Sequence, residues 1–244
     1  MILAFLSDVH GNLPALRSAL ADADARGAEK IYCAGDLTGY GPFPSEVCSL
    51  IARRRITTII GNYDAKVLAA LARPSDFKGS MKPGKWRILD WTCSHLDLGG
   101  QKFLSGLPES HRERLAGGFD LLMVHGSPLS PEDTLYPSLT SEGLKKKLAG
   151  ERPDILVCGH THIPFVKRLE GILVVNCGAA GHPVDGDPRP AYALVKVAEG
   201  KPPAARIIRF DYAKEEVVQT IEASTLPRSL KKDFLEGNKK REVS

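Results

Sequence analysis

Long hydrophobic runs are missing from this sequence. No apolar stretch approaches the ~20 residues that span a bilayer, so no membrane-crossing segment is expected. The first apolar run begins at Ile2, which leaves no room for a basic leader and a cleavable apolar segment. Cysteine is too sparse for a disulfide framework: Cys33, Cys48, Cys93, Cys158 and Cys177 are an odd number without close-spaced pairs. Three lie inside apolar runs, where a thiol behaves as a small buried hydrophobe, and Cys158 is read so despite standing two residues before His160. Such a set suits a reducing, cytoplasmic compartment. Charge of one sign is scarce too. The chain has 33 basic and 29 acidic side chains, a net charge of +4. That surplus does not mark a nucleic-acid binder, and no basic groove interleaved with aromatics is visible. Neither an internal repeat nor an interdomain linker occurs. Residues 1–230 are expected to form a single domain, with a charged, flexible tail over 231–244.

What is present is an alternation of strand and helix patterns. The apolar run Ile2–Leu6 leads to a turn at His10-Gly11-Asn12, and a helix is predicted over Pro14 to Ala25. A second strand over Lys30 to Ala34, a glycine- and proline-rich loop, a helix over Ser45 to Arg54 and a third strand over Ile56 to Ile60 follow. This order predicts a parallel sheet with right-handed crossovers. Residues 64–115 carry helical patterning and no good strand, and read as a helical insertion that packs on the sheet or caps the substrate cleft. Strands resume at Leu121–Val124, Ile155–Cys158 and Ile172–Val175. Shorter ones near Tyr192–Val197 and Arg206–Phe210 suggest a second, partly antiparallel sheet, with a helix near Lys214–Ala223 over one face. The fold class is therefore α/β.

Residues that ligate metals stand at the ends of these strands: Asp8, His10, Asp36, Asn62, His125, His160 and His162. In open α/β sheets the ligand crevice lies beyond the carboxyl ends of the strands. The chain order thus brings distant segments to one place, with enough N and O donors for two metal ions. Glycines next to most of them (Gly11, Gly35, Gly61, Gly126, Gly159) suit a close backbone approach to a metal cluster. Each fragment alone has structural explanations; four of the seven histidines falling into one pattern favours metal binding. His95 and His111 read as ordinary helix or surface residues.

Taken together, Asp8-Val-His10-Gly-Asn12, Gly35-Asp36-Leu-Thr-Gly39-Tyr-Gly41-Pro, Gly61-Asn62-Tyr63-Asp64, Val124-His125-Gly126 and Gly159-His160-Thr-His162 closely resemble the calcineurin-like metallophosphoesterase superfamily. The segment Asn176-Cys-Gly-Ala-Ala-Gly181, followed by Asp185-Gly-Asp-Pro-Arg189, is similar to its bacterial and archaeal phosphodiesterase branch. The resemblance covers residues 1 to about 197. It implies a four-layer αββα sandwich with two mixed sheets and a dinuclear site at the sheet edge. It further implies that Asp8, His10 and His162 bind one ion, that Asn62, His125 and His160 bind the other, and that Asp36 bridges them. A water or hydroxide between the ions would then attack phosphorus. These donors suit Mn, Fe, Co, Ni or Zn without choosing among them.

Many members of that superfamily have His after the Gly-Asn pair; here the position is Tyr63. A phenol, with a reference pKa of about 10, donates a hydrogen bond at neutral pH but supplies no positive charge. Leaving groups that need a proton should suffer most, which favours phosphodiesters over alkyl monoesters. Asp64 reads as an orienting or capping carboxylate rather than an acid. Asn12 suits either a phosphate contact or a helix N-cap, Tyr40 either base stacking or loop packing, and Arg189 either a phosphate contact or a surface ion pair.

The function expected is a phosphodiesterase acting on a small organic or nucleotide diester. A dinucleoside polyphosphate hydrolase and a non-catalytic scaffold that kept the fold are the alternatives. All seven ligand positions hold residues able to coordinate, which weighs against the scaffold. The expected partner is a small phosphoester, with no membrane and no nucleic acid; self-association is left open.

Overall fold

The computed structural model describes residues 1–237. The strand β1 (Ile2–Leu6) enters the helix α1 (Leu13–Ala25), then come β2 (Lys30–Cys33), α2 (Pro44–Arg53), β3 (Thr57–Thr58) and α3 (Asn62–Ala72). Two further helices, α4 (Pro83–His95) and α5 (Leu98–Ser105), lead to β4 (Ser110–Arg114) and β5 (Asp120–Val124). The chain continues through α6 (Ser141–Lys147), β6 (Ile155–Cys158), β7 (Phe165–Leu169) and β8 (Ile172–Asn176). It closes with β9 (Ala191–Ala198), β10 (Lys201–Arg209), α7 (Lys214–Glu222) and α8 (Leu230–Glu236).

Two five-stranded mixed sheets result, ordered β10-β9-β1-β2-β3 and β4-β5-β6-β8-β7. Side-chain alternation along the strands explains why they stack. Leu3 and Phe5 of β1 join Met123, Val157 and Val175 in a core between the sheets, while Ala4 and Leu6 face the outer helices with Leu16, Leu20 and Val47. On the second sheet Leu122, Leu156 and Val174 turn outward against Leu144 and Leu148. The architecture is the four-layer αββα sandwich. At the edge remote from the strand ends, Glu113 of β4 ties the sheets together: it accepts from the Tyr32 hydroxyl at 2.7 Å and pairs with Lys30, both on β2. No helix among the described residues is long and apolar enough to cross a membrane.

Several elements depart from the sequence expectation. The segment 64–115 does contain a strand, β4, whose Ser-His-Arg-Glu-Arg sequence has no apolar residue because it is an edge strand paired only with β5. β9 and β10 do not extend the second sheet: β9 pairs antiparallel with β1 and completes the first. β7, α5 and α6 were not anticipated. Part of the tail expected to be flexible folds as α8, because Leu230 and Phe234 are buried against the body. Residues 238–244 of that tail lie outside the described residues.

Candidate metal centre

The seven candidate ligands meet where five parallel strands end. Asp8 and His10 follow β1, Asp36 follows β2, Asn62 opens α3 after β3, His125 follows β5, and His160 and His162 follow β6. The first four come from one sheet and the last three from the other, so the centre lies at the sheet junction. Strand alternation does not aim these side chains. Asp8, His10, Asp36, His160 and His162 all have left-handed backbones, with φ of 53°, 47°, 55°, 65° and 61°. Each costs on the order of 1 kcal/mol or more and persists because the surroundings over-determine it. Backbone bonds from Asp8 and His10 to the carbonyls of Gly35 and Asp36 (3.0 and 2.9 Å) zip the first two loops together.

Three imidazoles are locked by their Nδ1 atoms. His10 Nδ1 lies 2.8 Å from the Thr38 carbonyl, His125 Nδ1 2.7 Å from that of Ala34, and His162 Nδ1 2.5 Å from that of His182. With Nδ1–H donating to a carbonyl, each Nε2 presents a lone pair once it gives up its proton, the arrangement typical of metal-ligating histidine. The Nε2 atoms of His10 and His162 stand only 3.2 Å apart, beside Asp8 Oδ1. That carboxylate oxygen is buried and lacks a hydrogen-bond partner. Lone pairs converging on an unsatisfied anionic oxygen fit a cation. Asp8, His10 and His162 bring their ligand atoms within 4.8 Å of one another, and so do Asp8, Asp36 and His125. Asp36 Oδ2 lies 3.5 Å from the Nε2 atoms of both His10 and His125, between the two groups. Asn62 Oδ1 faces His125 Nε2 at 2.9 Å and His160 Nδ1 at 3.2 Å.

Proximity of opposite charges dominates the electrostatics. Burial disfavours charge on Asp8, but His162 and His10 outweigh it and hold the carboxyl well below its ordinary value. Burial likewise opposes charge on His125, yet Asp36 drives it up to about 10. His160 is pushed down, by burial and then by His125. Glycine keeps the cluster tight: a Cβ on Gly159 would lie 2.4 Å from Asp8 Oδ2, and one on Gly61 2.1 Å from Asp36 Oδ1.

A match to the family model for the calcineurin-like phosphoesterase superfamily domain covers residues 1–200. The chain belongs to this superfamily. Among curated proteins it is similar to an uncharacterized protein of Methanocaldococcus jannaschii, 30% identical over 94% of this chain and 95% of that one. The phosphodiesterase YfcE of Escherichia coli is 25% identical over 77% of this chain and 84% of its own. Among solved structures, a metallophosphoesterase from Sphaerobacter thermophilus superposes with a TM-score of 0.77 at 26% identity, covering 97% and 99% of the two chains. The chain is thus a phosphoesterase whose centre has the donors to hold divalent metal.

The remaining candidates divide. Tyr63 and Tyr40 line the cavity over the candidate ligands His10, Asp36, Asn62, His160 and His162, together with Lys66, Met81, Lys85 and Ile88. The Tyr63 N–H donates to Asp36 Oδ1 at 2.7 Å, and burial, then Tyr40 and Asp36, push its phenol well above the ordinary value. Tyr40 stacks on His182 with ring centroids 4.5 Å apart, and burial raises its phenol to about 12. Asn12 serves as the N-cap of α1, accepting from Ala15 N at 3.1 Å while its amide donates to Gly181 O at 2.8 Å, and it is fully buried. Arg189 is not at the cavity: it pairs with Asp187 of its own exposed loop.

Asp64 is fully buried and accepts from the backbone of Leu37 and Thr38, the Thr38 hydroxyl and Gly61 N. Burial and then Asp36 raise its carboxyl to about 6. It fixes the Asp36 and Asn62 loops in place.

Two residues escaped sequence reasoning. Asn176 donates to Gly159 O at 2.8 Å and Thr161 Oγ1 at 3.0 Å, holding the loop that carries His160 and His162. His182 is buried beneath the cavity, 3.7 Å from Asp233 of α8 and against Phe234. Burial drives its imidazole down to about 3. Only its place after Ala179-Ala-Gly181 hinted at a role.

Proposed function

We propose that this phosphoesterase hydrolyses phosphodiesters, with a small organic or nucleotide diester as substrate. Asp8, His10 and His162 would hold one divalent ion, Asn62, His125 and His160 the other, with Asp36 between them. When bound, two such ions supply Lewis acidity for the phosphoryl oxygens and a water of lowered pKa. The observation that carries this reading is the His10–His162 contact: two imidazoles with Nδ1 engaged by carbonyls and Nε2 turned toward an unsatisfied Asp8 oxygen.

The chain's own groups orient and select. The carbonyls of Thr38, Ala34 and His182 fix the tautomers of the three imidazoles. Tyr63, a neutral phenol at the cavity wall, can donate a hydrogen bond to a phosphoryl oxygen but brings no positive charge to a departing alkoxide. Stable alkyl monoesters are thereby disfavoured relative to diesters with acidic leaving groups. The 25% identity to a phosphodiesterase over most of the chain supports the same preference. A cytoplasmic setting suits its cysteines, all of them free.

The test is an activity screen after loading with Mn, Fe, Co, Ni or Zn, on aryl monoesters, aryl diesters, cyclic nucleotides and dinucleoside polyphosphates, with Asp36→Asn as control. Diester hydrolysis that Asp36→Asn abolishes is expected. Inactivity on every substrate at full metal occupancy would return weight to a scaffold.

A further inference from the structure

We propose that Lys66 and Lys85 select the substrate by binding a second anionic group of the phosphoester, beyond the phosphorus under attack. The inference rests on the phosphodiesterase reading of this cavity. Both lysines line the ~170 Å³ space above the metal-ligating residues, Lys66 from α3 and Lys85 from α4. Lys66 stands one turn beyond Asn62 and Tyr63, with its Nζ 5.4 Å from the centre of the Tyr63 ring. Lys85 lies one turn before Ile88, and Met81 and Ile88 supply the cavity's apolar wall.

Neither ammonium forms a hydrogen bond or ion pair among the described residues, and unlike the other lysines without a carboxylate partner these two face the cavity that holds His10, Asp36, Asn62 and His160. Two like charges facing one cavity without a counter-ion repel each other; an anion between them turns that cost into attraction. Asp8 and Asp36, the carboxylates of the centre, belong to the metal groups, and Asp64 is saturated by its own donors. Among the described residues the cavity holds no spare carboxylate for the lysines, and a substrate anion is the partner that fits between them.

A monoanionic diester presents one charge, and divalent ions in the centre already engage it. Lys66 and Lys85 stand where the rest of the substrate leaves the cavity, on the side of Tyr63 and α4 rather than of His125. They fit a phosphate or phosphonate group carried by the portion beyond the scissile bond. Tyr63 points the same way. It cannot deliver positive charge, and Lys66 over its ring supplies the cation that position lacks.

The experiment measures binding, separately from turnover. Calorimetric titration of the manganese-loaded protein compares methylenebisphosphonate, with two anionic groups, against methylphosphonate, with one. In Lys66→Met and Lys85→Met the ratio of the two affinities is expected to fall about fivefold each, and more in the double variant. Lys66→Arg should restore most of the ratio. A ratio within about twofold of wild type in the double variant, with circular dichroism unchanged, overturns the proposal; so does equal loss of affinity for both ligands. The phosphodiesterase reading fails on a different result, absence of hydrolysis, which leaves this ratio measurable.

Discussion

A single carboxylate oxygen of Asp64, Oδ1, accepts both the backbone N–H of Thr38 at 2.9 Å and its hydroxyl at 2.7 Å, while Oδ2 accepts from Leu37 N at 3.0 Å. Replacing Asp64 with Ala leaves these buried donors unsatisfied, each at a cost of about 1–3 kcal/mol. Asp64→Ala should therefore lose at least about 3 kcal/mol in urea denaturation. Asp64→Asn should also destabilise, because its amide would face other N–H donors. A loss below 1 kcal/mol in the Ala variant would show that the Asp36 loop holds itself.

Phe234 has 0% exposure in α8 and rests on His182. Truncating a buried Phe costs about 3–5 kcal/mol. Phe234→Ala should show that loss in chemical denaturation, whereas Leu235→Ala, its half-exposed neighbour, should change little. Equal, small effects of both would mean that α8 does not hold its place in solution.

Glu113 links the sheets. Burial raises its pKa, but hydrogen bonds from Lys30, Tyr32 and His111 outweigh this and hold it below the ordinary value. A carboxylate with a depressed folded-state pKa stabilises above its unfolded pKa and loses that contribution as pH falls through the folded one. Glu113→Gln should thus lower stability by about 1 kcal/mol at pH 7, with the difference from wild type closing as the pH drops below about 4. Thermal melts from pH 7 to 3 check it; a gap independent of pH would assign the effect to shape alone.

Gly159 allows no side chain, since a Cβ there would stand 1.9 Å from Ser7 Oγ and 2.4 Å from Asp8 Oδ2. Gly159→Ala should push Asp8 aside and weaken metal binding by about 10–100-fold, measured by competition with a chelator. Wild-type affinity would mean that Asp8 is not a ligand.

Tyr63→His places a protonatable ring at the cavity wall. Monoesterase activity should rise relative to diesterase activity, read as the ratio of kcat/KM on 4-nitrophenyl phosphate and bis(4-nitrophenyl) phosphate. An unchanged ratio removes Tyr63 from leaving-group handling.

Buried strands were legible because they are short apolar runs: β1, β2, β5, β6 and β8 fall within a residue or two of the pattern. The convergence of Asp8, His10, Asp36, Asn62, His125, His160 and His162 was legible for the same reason, each following such a run. Edge strands were not. β4 and β7 alternate without a strong apolar face, and β4 reads as a charged loop until β5 is beside it. α8 was hidden by its charged residues Lys231, Lys232, Asp233 and Glu236, which mask the two apolar residues that dock it. The left-handed backbone at Asp8 and His10 left no trace beyond the following Gly11. His182, though a histidine, follows no strand, and its place beneath the cavity depends on α8, far along the chain.

The division of the candidate ligands between two sheets has a consequence for biosynthesis. Asp8 reaches the ribosome exit early, but His160 and His162 emerge only some 150 residues later, and β1 still lacks β9 on its other side. A nascent chain in that interval holds Asp8, Asp36 and His125 but lacks His160 and His162, each of which the proposed assignment gives to one of the two ions. On the proposed assignment neither ion has its full set of donors before the loop that carries them is made, so complete occupancy of the centre is expected to follow closure of both sheets.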